Sequence, residues 1–173
     1  FTPPSAAAPT ATDPLVLAVT GDGAGGEPSA TAVTDMMASW NPELVNYVGD
    51  VYEDGTLTEF KNWYGTGSSW FSRFRSITAP TIGNHEYDRA VAGGPQSADG
   101  YFAYWDNVPH RYSYDIGAWH FASLDSTSQF DETDTLSAQY EWLASDLAAN
   151  ANRCTIVSFH HPYKNIGPEM PAT

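Results

Sequence analysis

Basic residues, cysteines and long apolar runs are all scarce in this chain. Of 173 residues only 7 are Lys or Arg, against 21 Asp or Glu, for a formal charge of -14. Lys61 and Lys164 are the only lysines. Such a balance repels nucleic-acid backbones and anionic membrane surfaces, and no local basic patch reverses it, so a nucleic-acid-binding surface is not expected. It also sits awkwardly with an anionic small molecule, unless bound cations invert the local field. Cys154 is the single cysteine, which rules out a disulfide within the chain. In the run Cys154-Thr155-Ile156-Val157 it is expected as a buried strand thiol. The apolar stretches fall far short of the about 20 residues that cross a bilayer. The glycine-rich stretch 21–28 has no Gly-Lys-Ser/Thr after it, and no dinucleotide fingerprint occurs, so it reads as a flexible strand-to-helix loop.

What is present fits one domain with one sizeable core. Residues 1–13 are Ala, Pro, Thr and Ser with little to bury, and are expected as a flexible tail ahead of a domain over 14–173. The opening FTPPSAAAPTATDP resembles a mature end left after a targeting segment is removed, which makes a secreted or extracytoplasmic location the expectation. Helical and strand-like runs alternate, which predicts a layered α/β fold. Residues 15–19 predict a buried strand, and Ser29 a cap for a helix bearing Val33, Met36, Met37 and Trp40. A second strand is expected over 44–48, one or two short helices in the aromatic stretch 56–74, and a third strand over 77–82. A loop is expected over 87–109, with two strands near 111–115 and 119–124. Asp134 or Thr135 can cap a helix carrying Leu136, Tyr140, Leu143 and Leu147, and 155–159 reads as the last strand.

The informative feature is where the polar residues fall. Asp22, Asp50, Asn84 and His160 each stand at the end of an apolar strand run, and the first three follow a glycine. Parallel sheets place ligand sites beyond the carboxyl ends of their strands, so four such strands would converge these side chains on one crevice. Two carboxylates, a carboxamide and an imidazole suit Mn, Fe or Zn rather than calcium. Clustered aspartates repel one another unless a cation neutralises them. One carboxylate shared by two ions can hold them about 3.5–4 Å apart, the spacing that clamps an in-line displacement at phosphorus. Taken singly, Gly-Asp after a strand is ordinary turn chemistry. It is the set of four that points to metal.

These motifs, Gly21-Asp22, Gly49-Asp50 opening GDVYEDG, GNHE at 83–86 and His160-His161-Pro162, resemble those of the calcineurin-like metallophosphoesterases, and within them the purple-acid-phosphatase-like branch. The resemblance covers about residues 14–168, and Trp119-His120-Phe121 leading to Leu124-Asp125-Ser126 is similar to the family's strand before its active-site helix. It implies two packed sheets flanked by helices, a layered α/β/β/α sandwich with a mixed sheet. It implies two metal ions, with Asp22 on the first, Asp50 bridging both, and Asn84 and His160 on the second. His160 is preferred to His161, which is left as a supporting or merely exposed residue. A metal-bound hydroxide would be the nucleophile, and His85 would face the substrate, holding a phosphoryl oxygen or protonating the leaving group. Glu86 is expected to orient His85 or a metal ligand.

Three departures from the family pattern stand out. Ala24 occupies the place of a ligand histidine in many members, as in the branch that uses a tyrosinate instead. That tyrosine normally follows the bridging aspartate by three residues, whereas here Tyr52 follows Asp50 by two and Glu53 takes the usual place. Tyr52, Glu53 or water could each complete the first metal, and a carboxylate there would leave an iron-loaded protein without a tyrosinate band. The family's later histidines, one set in a Gly-His-x-His run, have no counterpart after His161. A further C-terminal segment or a second chain is therefore expected to complete the site. The function so implied is a phosphomonoesterase. A phosphodiesterase or nucleotidase of the same family, and a non-catalytic module that kept the fold, are the alternatives. The aromatics of 60–74 with Tyr101, Phe102, Tyr104 and Trp105 could stack a base, but are expected mostly as core.

Overall fold

The computed structural model describes residues 1–87, 97–127 and 136–162. Among these residues six strands form two three-stranded sheets. The first is parallel in the order β1 (Leu17–Thr20), β2 (Leu44–Tyr47), β3 (Thr78–Pro80). The second joins β4 (Tyr112–Ile116) antiparallel to β5 (Trp119–Ser123), and β5 parallel to β6 (Cys154–Ser158). Alternation along each strand assigns its faces. Leu44 and Ala79 of the first sheet pack with Ile116 and Phe121 of the second, forming an inner apolar layer. On the first sheet's other face, Ala18, Val45 and Tyr47 pack with residues of α1 (Ser29–Ser39) and of a 3₁₀ helix, Trp70–Ile77. On the second sheet's outer face, Ser113 and His120 bond Asp146 of the Ala138–Ala149 helix. The result is the expected mixed α/β layering of helix, sheet, sheet and helix.

Several local expectations are corrected. The four site-bearing strands are divided between the two sheets: β6, which leads to His160, belongs to the second. Pro28 holds the N-cap position of α1 and no side chain caps the helix, so Ser29 is its first residue and not its cap. The expected loop contains α2 (Asp99–Tyr104), whose Tyr101 and Tyr104 are buried beside Phe60. Aromatic packing there outweighs the weak helical pattern of a Gly-containing hexamer. Cys154 begins β6 but is exposed, β6 being an edge strand among the described residues. Ser137, whose Oγ accepts from Tyr140 N, caps the helix Ala138–Ala149, here α3; Asp134 and Thr135 lie outside the described residues. Leu136 is 85% exposed just ahead of it, so it does not join an apolar stripe. Residues 1–13 form no helix or strand, yet Phe1 packs edge-on against Tyr112 and Ala6 adjoins the inner layer. The aromatic stretch folds as a helical turn at Leu57–Glu59, a π-helical turn at Phe60–Tyr64 and the 3₁₀ helix, and Phe60, Tyr64, Phe71, Phe74, Tyr101, Tyr104 and Trp105 are core.

Candidate metal centre

Three turns leave the carboxyl ends of β1, β2 and β3, and a fourth leaves β6. Asp22 and Asp50 adopt left-handed backbone, with φ of 56° and 66°, an uncommon conformation that short polar residues tolerate best. The turns pack closely enough to demand glycine. A Cβ on Gly49, itself at φ 102°, would lie 2.7 Å from Gly83 Cα and 2.9 Å from His160 Nδ1. A Cβ on Gly83 would collide with the Asp50 carboxylate. The glycines before Asp50 and Asn84 thus let three of the four turns meet.

Asp22, Asp50 and His160 each place one donor atom within 4.8 Å of the others, the one such group found among the described residues. His160 Nε2 lies 3.4 Å from Asp50 Oδ2 and 3.0 Å from Asn84 Oδ1. Its Nδ1 donates to Val48 O over 2.8 Å, the backbone anchor that commonly fixes a metal-binding imidazole with its other nitrogen toward the ion. The Asp50 carboxylate is buried, which by itself would raise its pKa, but hydrogen bonding and charge from His160, with help from His85, hold it below its ordinary value. His160 shows the reciprocal effect: burial disfavours its charge, yet Asp50 pushes its pKa up to about 9. The pocket draws positive charge, and two carboxylates, an amide oxygen and an imidazole form a donor set that fits a metal ion.

The remaining residues divide into those that face the cluster and those that hold it. Tyr52 Oη donates to Asp22 Oδ1 over 2.9 Å. Glu53 is exposed, and its carbonyl accepts from His85 Nδ1 at 2.7 Å. That bond turns His85 Nε2 toward Asp50, where it stands 3.9 Å from Oδ2. His161, expected as a supporting or exposed residue, proves to be half-buried and aimed inward. Its Nδ1 donates to Ser126 O, and its Nε2 is 3.0 Å from Asn84 Oδ1. Nothing in a His-His-Pro run tells the two imidazoles apart without the backbone carbonyls that orient them.

Glu86 does something the sequence did not disclose. It is 1% exposed, and its carboxylate accepts from three backbone N–H groups, those of Asp50, Val51 and Gly83. It clamps the second and third turns together, and so holds Asp50, one of the expected metal ligands, through its backbone. Burial, reinforced by the charge of Asp50, pushes its pKa up to about 7 against the pull of those three bonds. Asp125, also fully buried, braces the turn beneath His161. It accepts from Tyr87 Oη and from both the N–H and the hydroxyl of Thr127.

Comparison with known proteins agrees with this arrangement at the level of the family. No curated protein matches the chain. The sequence profile described as calcineurin-like phosphoesterase matches residues 15–172, from the start of the first strand run past both histidines. The chain belongs to the calcineurin-like phosphoesterase family.

Proposed function

We propose that the protein is a metal-dependent hydrolase of phosphomonoesters working at a two-ion site. The convergence of Asp22, Asp50 and His160 at the mouths of strands from two sheets carries this reading. Asp22 would hold the first ion, Asp50 would bridge, and Asn84 and His160 would hold the second. The Tyr52 hydroxyl, already on Asp22, supports Tyr52 as a further donor to the first ion and with it the purple-acid-phosphatase-like branch. Iron, zinc or manganese suits these donors. When bound, the ions would supply Lewis acidity, lowering the pKa of a water and neutralising charge on the phosphoryl group.

The chain's own residues then have separable tasks. Asp50 keeps its charge to low pH because His160 and His85 favour the ionised form, so it stays a carboxylate whenever an ion arrives. The Glu53 carbonyl fixes the His85 ring, which presents Nε2 to the space beside Asp50. From there it can hold a phosphoryl oxygen or give a proton to the leaving oxygen. Glu86 and the Gly49 and Gly83 turns keep Asp50 and Asn84 in place as charge builds up.

Asp50→Ala and His85→Ala test the division of labour. In the complete natural chain, Asp50→Ala should lose metal and turnover of an aryl phosphomonoester together. His85→Ala should keep its metal content and lose about 100-fold or more in kcat. Elemental analysis beside the phosphatase assay reads both, and an Asp50 variant that keeps both ions and its rate would sink the role given to Asp50. A phosphodiester assayed in parallel separates the monoesterase from its diesterase alternative.

A further inference from the structure

The interface between the two sheets changes character along its length. Around Leu44, Ala79, Ile116 and Phe121 it is apolar. Nearer the strand ends that lead to the metal centre it turns polar. Asn46 Nδ2 on β2 donates to Ser158 Oγ on β6 over 2.9 Å, and the hydroxyls of Thr81 and Ser123 stand 2.8 Å apart. Asn46 is 3% exposed in the middle of a strand otherwise built of Leu, Val and Tyr. Apolar side chains could fill that layer without the penalty of about 1–3 kcal/mol that follows a poorly satisfied buried amide.

The placement of these polar groups suggests their use. Asn46 comes four residues before Asp50, Thr81 three before Asn84, and Ser158 two before His160. Among the described residues no hydrogen-bonded ladder joins β2 to β6, since they belong to different sheets. The 3.4 Å approach of Asp50 Oδ2 to His160 Nε2 is therefore governed by the His160–Val48 bond at the turns together with the side chains packed between the sheets. Beyond the turns, where His160 Nδ1 bonds Val48 O, the Asn46–Ser158 bond is a directional link between the strand that leads to Asp50 and the strand that leads to His160.

Beside that bond is a cavity of about 10 Å³ lined in part by Asn46, Thr81, Tyr114, Ser123 and Ser158. Two buried polar atoms of that lining, Asn46 Oδ1 and Tyr114 Oη, have no hydrogen-bond partner among the described residues. One is an acceptor, and the other is a hydroxyl that can donate. A polar space of about 10–15 Å³ is the smallest that accommodates one water.

We propose that one internal water occupies this cavity, and that with Asn46 and Ser158 it forms a polar seam that sets the spacing between the two halves of the metal centre. The water donates to Asn46 Oδ1 and accepts from the Tyr114 hydroxyl, and the Thr81 and Ser123 hydroxyls lie along the same wall. Asn46, Ser158 and Tyr114 are positioning residues, acting through the strands that carry Asp50 and His160. A seam of this kind specifies a separation only when every member is satisfied, and the water completes it. The inference rests on the metal-centre reading above.

A high-resolution crystal structure of the complete natural protein should show an ordered water within hydrogen-bonding distance of both Asn46 Oδ1 and Tyr114 Oη. An empty cavity there overturns the proposal. Asn46→Leu and the milder Ser158→Ala should each weaken metal affinity, read by chelator competition, about 10-fold or more, as loss of a supporting group around a metal site typically does. The visible spectrum of the cobalt-loaded protein should change in both, and kcat should fall by a larger factor than KM rises. Tyr114→Phe should expel or disorder the water. If Asn46→Leu does not fold, Ser158→Ala and Tyr114→Phe decide the matter. Folded variants with unchanged metal affinity and an unchanged cobalt spectrum overturn the seam. A wild-type protein that binds metal but cleaves no phosphoester would defeat the functional reading alone, since affinity and spectrum still judge the seam. One that binds no metal defeats both.

Discussion

Asp22 and Asp50 hold their carboxylates out from left-handed backbone, a conformation that costs of the order of 1–3 kcal/mol when the surroundings impose it. Such strain persists where the neighbours fix it, and here the Glu86 carboxylate grips the N–H of Asp50 and of Val51 beside it. Tyr52 is the residue whose role the spacing alone left open. Its position two after Asp50 suggested that Glu53 could displace it, and with it any tyrosinate colour. The hydroxyl in fact sits 2.9 Å from Asp22 Oδ1, while Glu53 is exposed and offers its carbonyl to His85. Burial, and then the Asp22 carboxylate, hold the Tyr52 pKa well up, so only a strongly acidic cation would ionise it. The expected outcome is that iron-loaded, oxidised protein has a visible charge-transfer band that Tyr52→Phe abolishes. An iron-loaded protein without the band, or a band surviving the substitution, assigns the first ion's donor elsewhere.

At the scale of elements, the sequence was most readable where an apolar run stopped at a glycine and a polar residue. β1, β2, β3 and β6 all lie close to where those runs placed them, although only β2 and β3 are buried throughout; the expected burial of the first strand holds for Ala18 alone, and β6 has no buried residue. Sheet membership was not legible, since periodicity reports which face is buried but not which neighbour covers it. That is why the apolar runs do not show β6 in the second sheet, nor Cys154 exposed on it. α2 carries no periodic signal, because Gly100 and three aromatics give no helical stripe in six residues. His120 on β5 shows a partnership that only tertiary structure supplies. Its Nδ1 is 2.8 Å from Asp115 and its Nε2 2.6 Å from Asp146, which ties α3 to the second sheet. Burial opposes charge on this ring, but the two carboxylates together raise its pKa above the ordinary value. A histidine with a raised folded pKa stabilises fully below its unfolded pKa of about 6.5, and that contribution fades as pH climbs through the folded value. His120→Leu should therefore cost about 1–3 kcal/mol near pH 6, and measurably less near pH 9. Denaturant unfolding of both proteins at the two pH values reads the difference, and an equal loss at both would contradict the charged pairing.

Among the described residues the second sheet has an open side, and the candidate metal centre stands next to it. β6 is an edge strand in which Cys154 and Thr155 are exposed, followed by Phe159 at 40% exposure. A parallel strand of this composition is ordinarily covered on both faces, and a bare edge invites pairing. α3 covers little of this side, for its one buried residue is Gln139, and Tyr140 is 49% exposed. Those surfaces adjoin the turn that presents His160 and His161, and the donors in reach are few. On the proposed assignment, Asp22, Asp50, Asn84 and His160, with Tyr52 for the first ion, would leave two ions short of the ligands that fix geometry while keeping a position open. We therefore propose that a further segment, continuous with the chain or supplied by another, packs beside β6 and adds ligands at the centre. The isolated 173-residue chain should then retain about one ion after dialysis, and the protein carrying the added segment two. Native mass spectrometry gives the polypeptide mass and the ion count in one measurement. Two firmly held ions on the 173-residue chain alone would remove the need for a further segment and require a different set of ligands around Asp50.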